Sequence, residues 1–208
     1  MNYDLAYRLG FHPWEDAADQ PGFVDKLSQL LDEEEAGRQP PFERALDIGT
    51  GSGVWAVWLA QRGWQVTGVD IVEKALQRGR ERTAQAGVDV QLVRGDVTDL
   101  GAAGVGAGYR LILDTGTFHG FTPEQRTAMG REIGSTAGED ATILMLAWEP
   151  RRRGPLPRGA SLDEIERAFP GWAATEVGPT NFKAPPPVEV LFKPAERWYR
   201  LRRRAVVG

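Results

Sequence analysis

The sequence predicts a single doubly wound α/β domain, and three observations lead there. The chain has 208 residues, 41% of them hydrophobic and 26% charged, which suits one soluble globular core, since a core grows efficiently up to roughly 250 residues. From Arg44 onward, short apolar runs alternate with helical segments, the pattern of a parallel sheet covered on both faces. The first of these runs passes into a glycine-rich turn, Gly49, Gly51 and Gly53 at alternate positions, and then into a helix.

The elements follow in order. Residues 1–22 mix aromatic side chains with Gly10, Pro13 and Pro21, which interrupt any continuous helix, and are expected to form an N-terminal arm or lid. The rest of the chain, 23–208, is expected to form the domain proper. Phe23, Leu27, Leu30 and Leu31 fall on one helical stripe that Gly37 stops. The acidic run 32–35 sits at the end of that helix, where negative charge opposes the dipole, so it is expected to be a solvated end. Strands are expected at 44–48, 65–69, 88–93, 109–113 and 142–147, with two more around 173–178 and 198–203 at a less regular end of the chain. Thr122, Pro123 and Gln125 spell an N-cap, a proline in the first turn and a capping-box partner, and Ser161 with Glu164 repeats the box. Residues 101–108, rich in glycine and alanine, read as a flexible loop.

Composition excludes several classes of function. A net charge of −4 gives the surface no general attraction for phosphate backbones or anionic lipid, so neither nucleic acid nor membrane is expected as a partner. The chain contains no cysteine, which removes disulfides, thiolate metal sites and cysteine nucleophiles and fits a reducing, cytoplasmic setting. Asp4 and Arg8 break the start of the chain, so no signal peptide is expected, and the longest strongly apolar run, 142–148, is far below the roughly 20 residues that cross a bilayer.

The chemistry is expected at the glycine turn. A dinucleotide fingerprint needs G-x-G-x-x-G, and after Gly49 and Gly51 its third position is Val54, so a nicotinamide cofactor is disfavoured. The acid–glycine spacing of Asp47, Gly49, Gly51 and Gly53 instead resembles the first motif of the class I S-adenosylmethionine-dependent methyltransferases. The resemblance covers 44–150 well and the ends loosely, and it implies a Rossmann-like, seven-stranded, mostly parallel methyltransferase sheet in a single domain. It implies that Asp47 serves the cofactor's amino-acid portion, with Gly49, Thr50 and Gly51 leaving room for its sulfonium end and Gly53 completing the cofactor-binding turn. Asp70, with Ile71 beside it, would take the ribose hydroxyls; the local alternative is that Asp70 caps the helix beginning near Glu73. Asp96 and Val97, after the third strand, would hold the adenine. Trp14, in a His12-Pro13-Trp14 arm, resembles the arm that closes over the cofactor in small thiopurine- and toxin-methylating members.

The acceptor side is expected at the ends of the fourth and fifth strands. Asp114-Thr115-Gly116 lacks the Pro-Pro-aromatic pattern of base-modifying members, which argues against nucleic-acid N-methylation. His119, one of two histidines, follows the fourth strand, where an imidazole could take a hydroxyl proton; Asp114 is the second catalytic candidate. Adjacent strands would make Asp114 and Glu149 neighbours, and Mg²⁺ between them would relieve their repulsion and acidify a hydroxyl, as in the catechol-type branch. The arginines 151–153 and 202–204 read as solvated faces. Together these features suggest O-methylation of a small polar acceptor. A sugar or oligosaccharide is expected, because Trp14, Phe118, Phe121 and Trp148 could cover its C–H faces while acids bind its hydroxyls, and the chain is similar in overall appearance to sugar O-methyltransferases of methylated-polysaccharide biosynthesis. An N- or S-methyltransferase of small heterocycles and a non-catalytic cofactor-binding protein are the alternatives. A monomer or homodimer is expected.

Overall fold

The computed structural model describes residues 17–151, 157–183 and 195–205. Helix α1 (Pro21–Glu35) opens with its proline in the first turn, where a missing N–H costs nothing, two residues before the apolar stripe begins. Then come β1 (Arg44–Ile48), α2 (Val54–Arg62), β2 (Gln65–Asp70), α3 (Glu73–Ala86), β3 (Val90–Arg94) and β4 (Tyr109–Asp114). A 3₁₀ turn (Phe118–Gly120) leads to α4 (Pro123–Thr136), β5 (Ala137–Trp148), α5 (Leu162–Ala168), β6 (Trp172–Pro179) and β7 (Glu196–Arg203). Both expected capping boxes form, Thr122 with Gln125 and Ser161 with Glu164.

The seven strands make one sheet in the order β3-β2-β1-β4-β5-β7-β6. All neighbours are parallel except β7, which runs antiparallel between β5 and β6. The chain moves outward from β1 through β2 to β3, then returns to lay β4 on the other side of β1. A crevice therefore opens at the carboxyl ends of β1 and β4, the place where open α/β sheets bind ligands.

Continuous apolar strands are explained by burial on both faces. Leu111 and Leu113 of β4 and Leu144 and Leu146 of β5 pack with Phe23, Leu27, Leu30 and Leu31 of α1 and with Trp55 and Leu59 of α2. The alternate residues Ile112, Ile143 and Met145 face Met129 and Ile133 of α4 and Ile165 of α5. Among the described residues no helix is long and apolar enough to cross a membrane.

Three expectations need correction. Strand β3 starts at Val90 rather than at residue 88, because Gly87 ends α3 in the left-handed region and the Val88 N–H is taken by the Thr83 carbonyl as part of that cap. Strand β5 starts at Ala137, five residues early, since the polar residues 139 and 140 hide a segment that pairs with Tyr109. The acidic run is only half a solvated end: Asp32 and Glu33 are exposed, but the other two residues are not. Glu34 is buried, accepts from the Thr142 hydroxyl at 2.7 Å and pairs with Arg200 at 3.1 Å and Arg202 at 3.0 Å, while Asp32 and Glu35 both hold Arg62. The arginines at the end of β7 do form a solvated face: Arg202, Arg203 and Arg204 are all exposed, with Arg203 donating to the Gly134 carbonyl and Arg204 to the Trp172 carbonyl.

Candidate active site

The glycine turn between β1 and α2 lies at the crevice. Gly49, Gly51 and Gly53 have φ of 65°, 55° and 72°, a region that L side chains rarely adopt. At Gly49 a Cβ would also collide with the Thr117 hydroxyl, which itself donates to the Ile48 carbonyl at 3.2 Å. The turn is fastened from three sides. The Thr50 N–H donates to the Val69 carbonyl at 2.9 Å, the Thr50 hydroxyl to Asp47 Oδ2 at 2.5 Å, and Arg82 of α3 to the Ser52 carbonyl at 3.0 Å.

Asp70, half-buried at the end of β2, joins the glycine turn to the next one. Its Oδ2 accepts from the Gly51 N–H and its Oδ1 from the Val72 N–H, each at 2.8 Å. Val72 is the residue before α3, so Asp70 makes a short Asx-type turn and does not cap the helix in the usual way. Ile71 beside it is 59% exposed, an unusual setting for a large apolar side chain. One strand further, the Gly95 N–H donates to the Asp70 carbonyl at 3.0 Å. This brings the exposed Asp96 close to Asp70; its Oδ1 accepts from the Thr98 N–H and hydroxyl, while the Val97 side chain is buried. Asp47, Gly49, Thr50, Gly51, Gly53, Asp70, Ile71, Asp96 and Val97 thus follow one another along the carboxyl edge of β1, β2 and β3. Trp14 and His12 lie outside the described residues.

Asp47 is fully buried, and its Oδ1 has no hydrogen-bond partner among the described residues. Burial, reinforced by the charges of Asp114 and Asp70, pushes its pKa up to about 7, against the pull of the Thr50 hydroxyl. Burial also raises Asp70. The orphaned oxygen, the cleared backbone of the turn and a carboxylate at the end of the second strand offer acceptors and space suited to a cationic amino-acid ligand bearing a ribose.

On the other side of the crevice, Asp114 pairs in register with Ile48 and is fully buried. Its carboxylate receives three backbone N–H groups: Gly116 at 2.8 Å, Thr117 at 2.6 Å and Phe118 at 3.0 Å. Burial still pushes its pKa up to about 6, the three donors opposing that shift. Asp114 therefore folds the turn after β4. Glu149 is not its neighbour. Asp114 pairs with Met145, and Glu149 lies four residues further along, roughly 13 Å at strand spacing. Glu149 Oε1 accepts from Arg197 Nε at 2.8 Å. The expected pair does not assemble, its oxygens serve other donors, and no group of three or more His, Asp or Glu among the described residues could hold a metal ion. These residues do not fit Mg²⁺.

The turn held by Asp114 carries His119, which is buried and stacked on Trp148 from the end of β5, ring centroids 5.1 Å apart and planes 19° apart. The Trp148 indole N–H donates to Glu196 Oε1 at 2.8 Å. Sequence reasoning missed Thr117, Arg82 and Arg126; the last reaches into the same turn from α4. The capping box at Thr122 was the available signal, because it sets the phase of α4 and turns residue 126 inward.

Residues 45–137 match the model of a methyltransferase domain. The chain is 28% identical over 146 residues to a 2-heptyl-1-hydroxyquinolin-4(1H)-one methyltransferase of Mycobacteroides abscessus, a stretch covering 67% of this chain and 63% of that protein. It is 32% identical over 101 residues to a ubiquinone biosynthesis O-methyltransferase of Hahella chejuensis, covering 48% and 40%. The chain thus spans less than two thirds of the length of these curated relatives. Among solved structures, it resembles the 1,6-didemethyltoxoflavin-N1-methyltransferase of Burkholderia thailandensis with a TM-score of 0.69 at 19% identity, covering 98% of this chain and 86% of the other. At that identity the likeness shows the fold.

Proposed function

We propose that this chain, which carries a class I S-adenosylmethionine-dependent methyltransferase domain, transfers a methyl group to a hydroxyl of a small planar acceptor. The observation that carries the reading is the glycine turn at the crevice, flanked by the buried Asp47 and by Asp70. Asp70 would hold the ribose, Asp96 the adenine, and Asp47 with the turn the amino-acid end of the cofactor. When bound, the cofactor supplies an electrophilic methyl group on a sulfonium. What remains for the protein is to align the acceptor, exclude water and remove the hydroxyl proton.

His119 is the candidate base, and its stack with Trp148 favours a flat acceptor over a sugar. The acids that a sugar would need are engaged: Asp114 with three backbone N–H groups and Glu149 with Arg197. The Mycobacteroides relative, named for a hydroxyquinolinone, supports a heterocyclic acceptor. The test is transfer of labelled methyl from S-adenosylmethionine to three probes: a 1-hydroxyquinolin-4-one, a planar N-heterocycle without a hydroxyl, and a monosaccharide. Label on the hydroxyquinolinone alone is expected. Label on the sugar alone, or on none while S-adenosylhomocysteine still binds, overturns the acceptor assignment.

A further inference from the structure

We infer that Arg126 is a positioning residue that holds His119 against Trp148, an inference resting on the base role given to His119 above. Arg126 stands in the first turn of α4 and is only 3% exposed. Two of its three guanidinium nitrogens donate to backbone carbonyls. Nε donates to Phe118 at 3.2 Å, and one Nη donates both to His119 at 3.0 Å and to Gly159 at 2.7 Å. The first two carbonyls belong to the 3₁₀ turn that carries the imidazole.

The third leads to Trp148. The Ala160 N–H donates to the Trp148 carbonyl at 2.9 Å, and Gly159 passes so close that a Cβ there would collide with the carbonyls of Trp148 and Glu149. Each ring of the stack is therefore one step from the same guanidinium. Among the described residues the Glu164 carboxylate stands 3.6 Å from the remaining nitrogen, and that nitrogen makes no hydrogen bond to any of them. Burying a cation so incompletely paired is costly, and an apolar side chain could have filled the space. A planar fork of donors can reach three carbonyls from one point, which an ammonium cannot do with the same geometry.

The test reads the imidazole directly. With histidine labelled in ¹³C and ¹⁵N, the protein gives two ring signals, from His12 and His119, which His12→Gln assigns. In the unsubstituted protein the His119 signal is expected upfield through the Trp148 ring current, and Trp148→Leu should abolish that displacement. Arg126→Gln and Arg126→Lys are expected to lose it too, leaving the His12 signal in place. Arg126→Lys keeps the charge and most of the volume, so it leaves a folded protein to measure should Arg126→Gln unfold; circular dichroism reports which variants fold. With an acceptor that turns over, Arg126→Lys should lower kcat roughly 10- to 100-fold at unchanged affinity for S-adenosylhomocysteine. An unmoved His119 signal in a folded Arg126 variant overturns the inference. No acceptor is needed for the spectrum, so a chain that methylates none of the probes leaves this result readable on its own.

Discussion

Asp70 has two duties that a single substitution can separate. It accepts the Gly51 and Val72 N–H groups, and it is the candidate for the ribose hydroxyls. Asp70→Ala should weaken binding of S-adenosylhomocysteine about 10- to 100-fold, because hydrogen bonds to a charged acceptor are worth roughly 1.5–3 kcal/mol. Asp70→Asn keeps an oxygen for the Gly51 N–H and should recover part of the loss. Calorimetry decides it; unchanged affinity in Asp70→Ala would reduce Asp70 to a fastener of the turn. His119 separates differently, since nothing in the glycine turn depends on its imidazole. His119→Ala should lower turnover roughly 10²- to 10⁴-fold while the affinity for S-adenosylhomocysteine holds, and normal turnover would move the proton-accepting role elsewhere. For Asp114 and Glu149 the donor geometry predicts that a chelator leaves transfer unchanged. Loss of activity in chelator with recovery on Mg²⁺ would contradict that geometry.

The elements hold together through groups that are adjacent in space and distant in the chain. Glu34 on α1 reaches Thr142 on β5, Arg200 and Arg202 on β7, and Arg110 on β4 at 3.6 Å. Removing it takes away the one buried carboxylate of the cluster, while Arg200 keeps Glu33 and Arg202 stays exposed to water, so Glu34→Ala should destabilise the fold by about 1–3 kcal/mol in urea titration, with Glu34→Gln intermediate. A loss below 1 kcal/mol would mean that water pairs those arginines. The same cluster marks the boundary of what the sequence revealed. The apolar stripe of α1, the β1–glycine-turn–α2 unit and both capping boxes depend on neighbours a few residues apart, and all were legible. Glu34 was not, because its partners lie more than 70 residues away and only the folded sheet gathers them. Asp114 and Glu149 were misplaced for a related reason: strand adjacency could be expected, but register could not, and a four-residue offset separates them. His119 was placed correctly after β4, whereas its stack with Trp148 and its dependence on Arg126 needed the fold.

Across the molecule, the switch in strand order gathers Asp47, Asp70 and Asp114 at one end of the sheet, where burial raises all three pKa values. Asp47 rises from 3.8 to about 7 and Asp114 from 3.8 to about 6. Above about pH 4 the unfolded chain has released these protons while the folded protein still holds them. The stability they contribute is therefore full below about pH 4 and is lost as pH rises through about 6 and 7. Glu43 and Glu164 act in the opposite sense: their lowered pKa values give stability at higher pH that is lost as pH falls through them. The two trends place maximal stability on the acid side of neutrality. Asp47→Asn removes the largest contribution to the descending limb without removing the shape of the side chain. Its melting temperature should gain steadily on that of the unsubstituted protein from about pH 4 to about pH 7 and then keep a constant lead. Scanning calorimetry across that range reads the difference. Parallel curves would show that Asp47 is ionised throughout, and hence that a cation or solvent reaches its unpaired oxygen even before cofactor arrives.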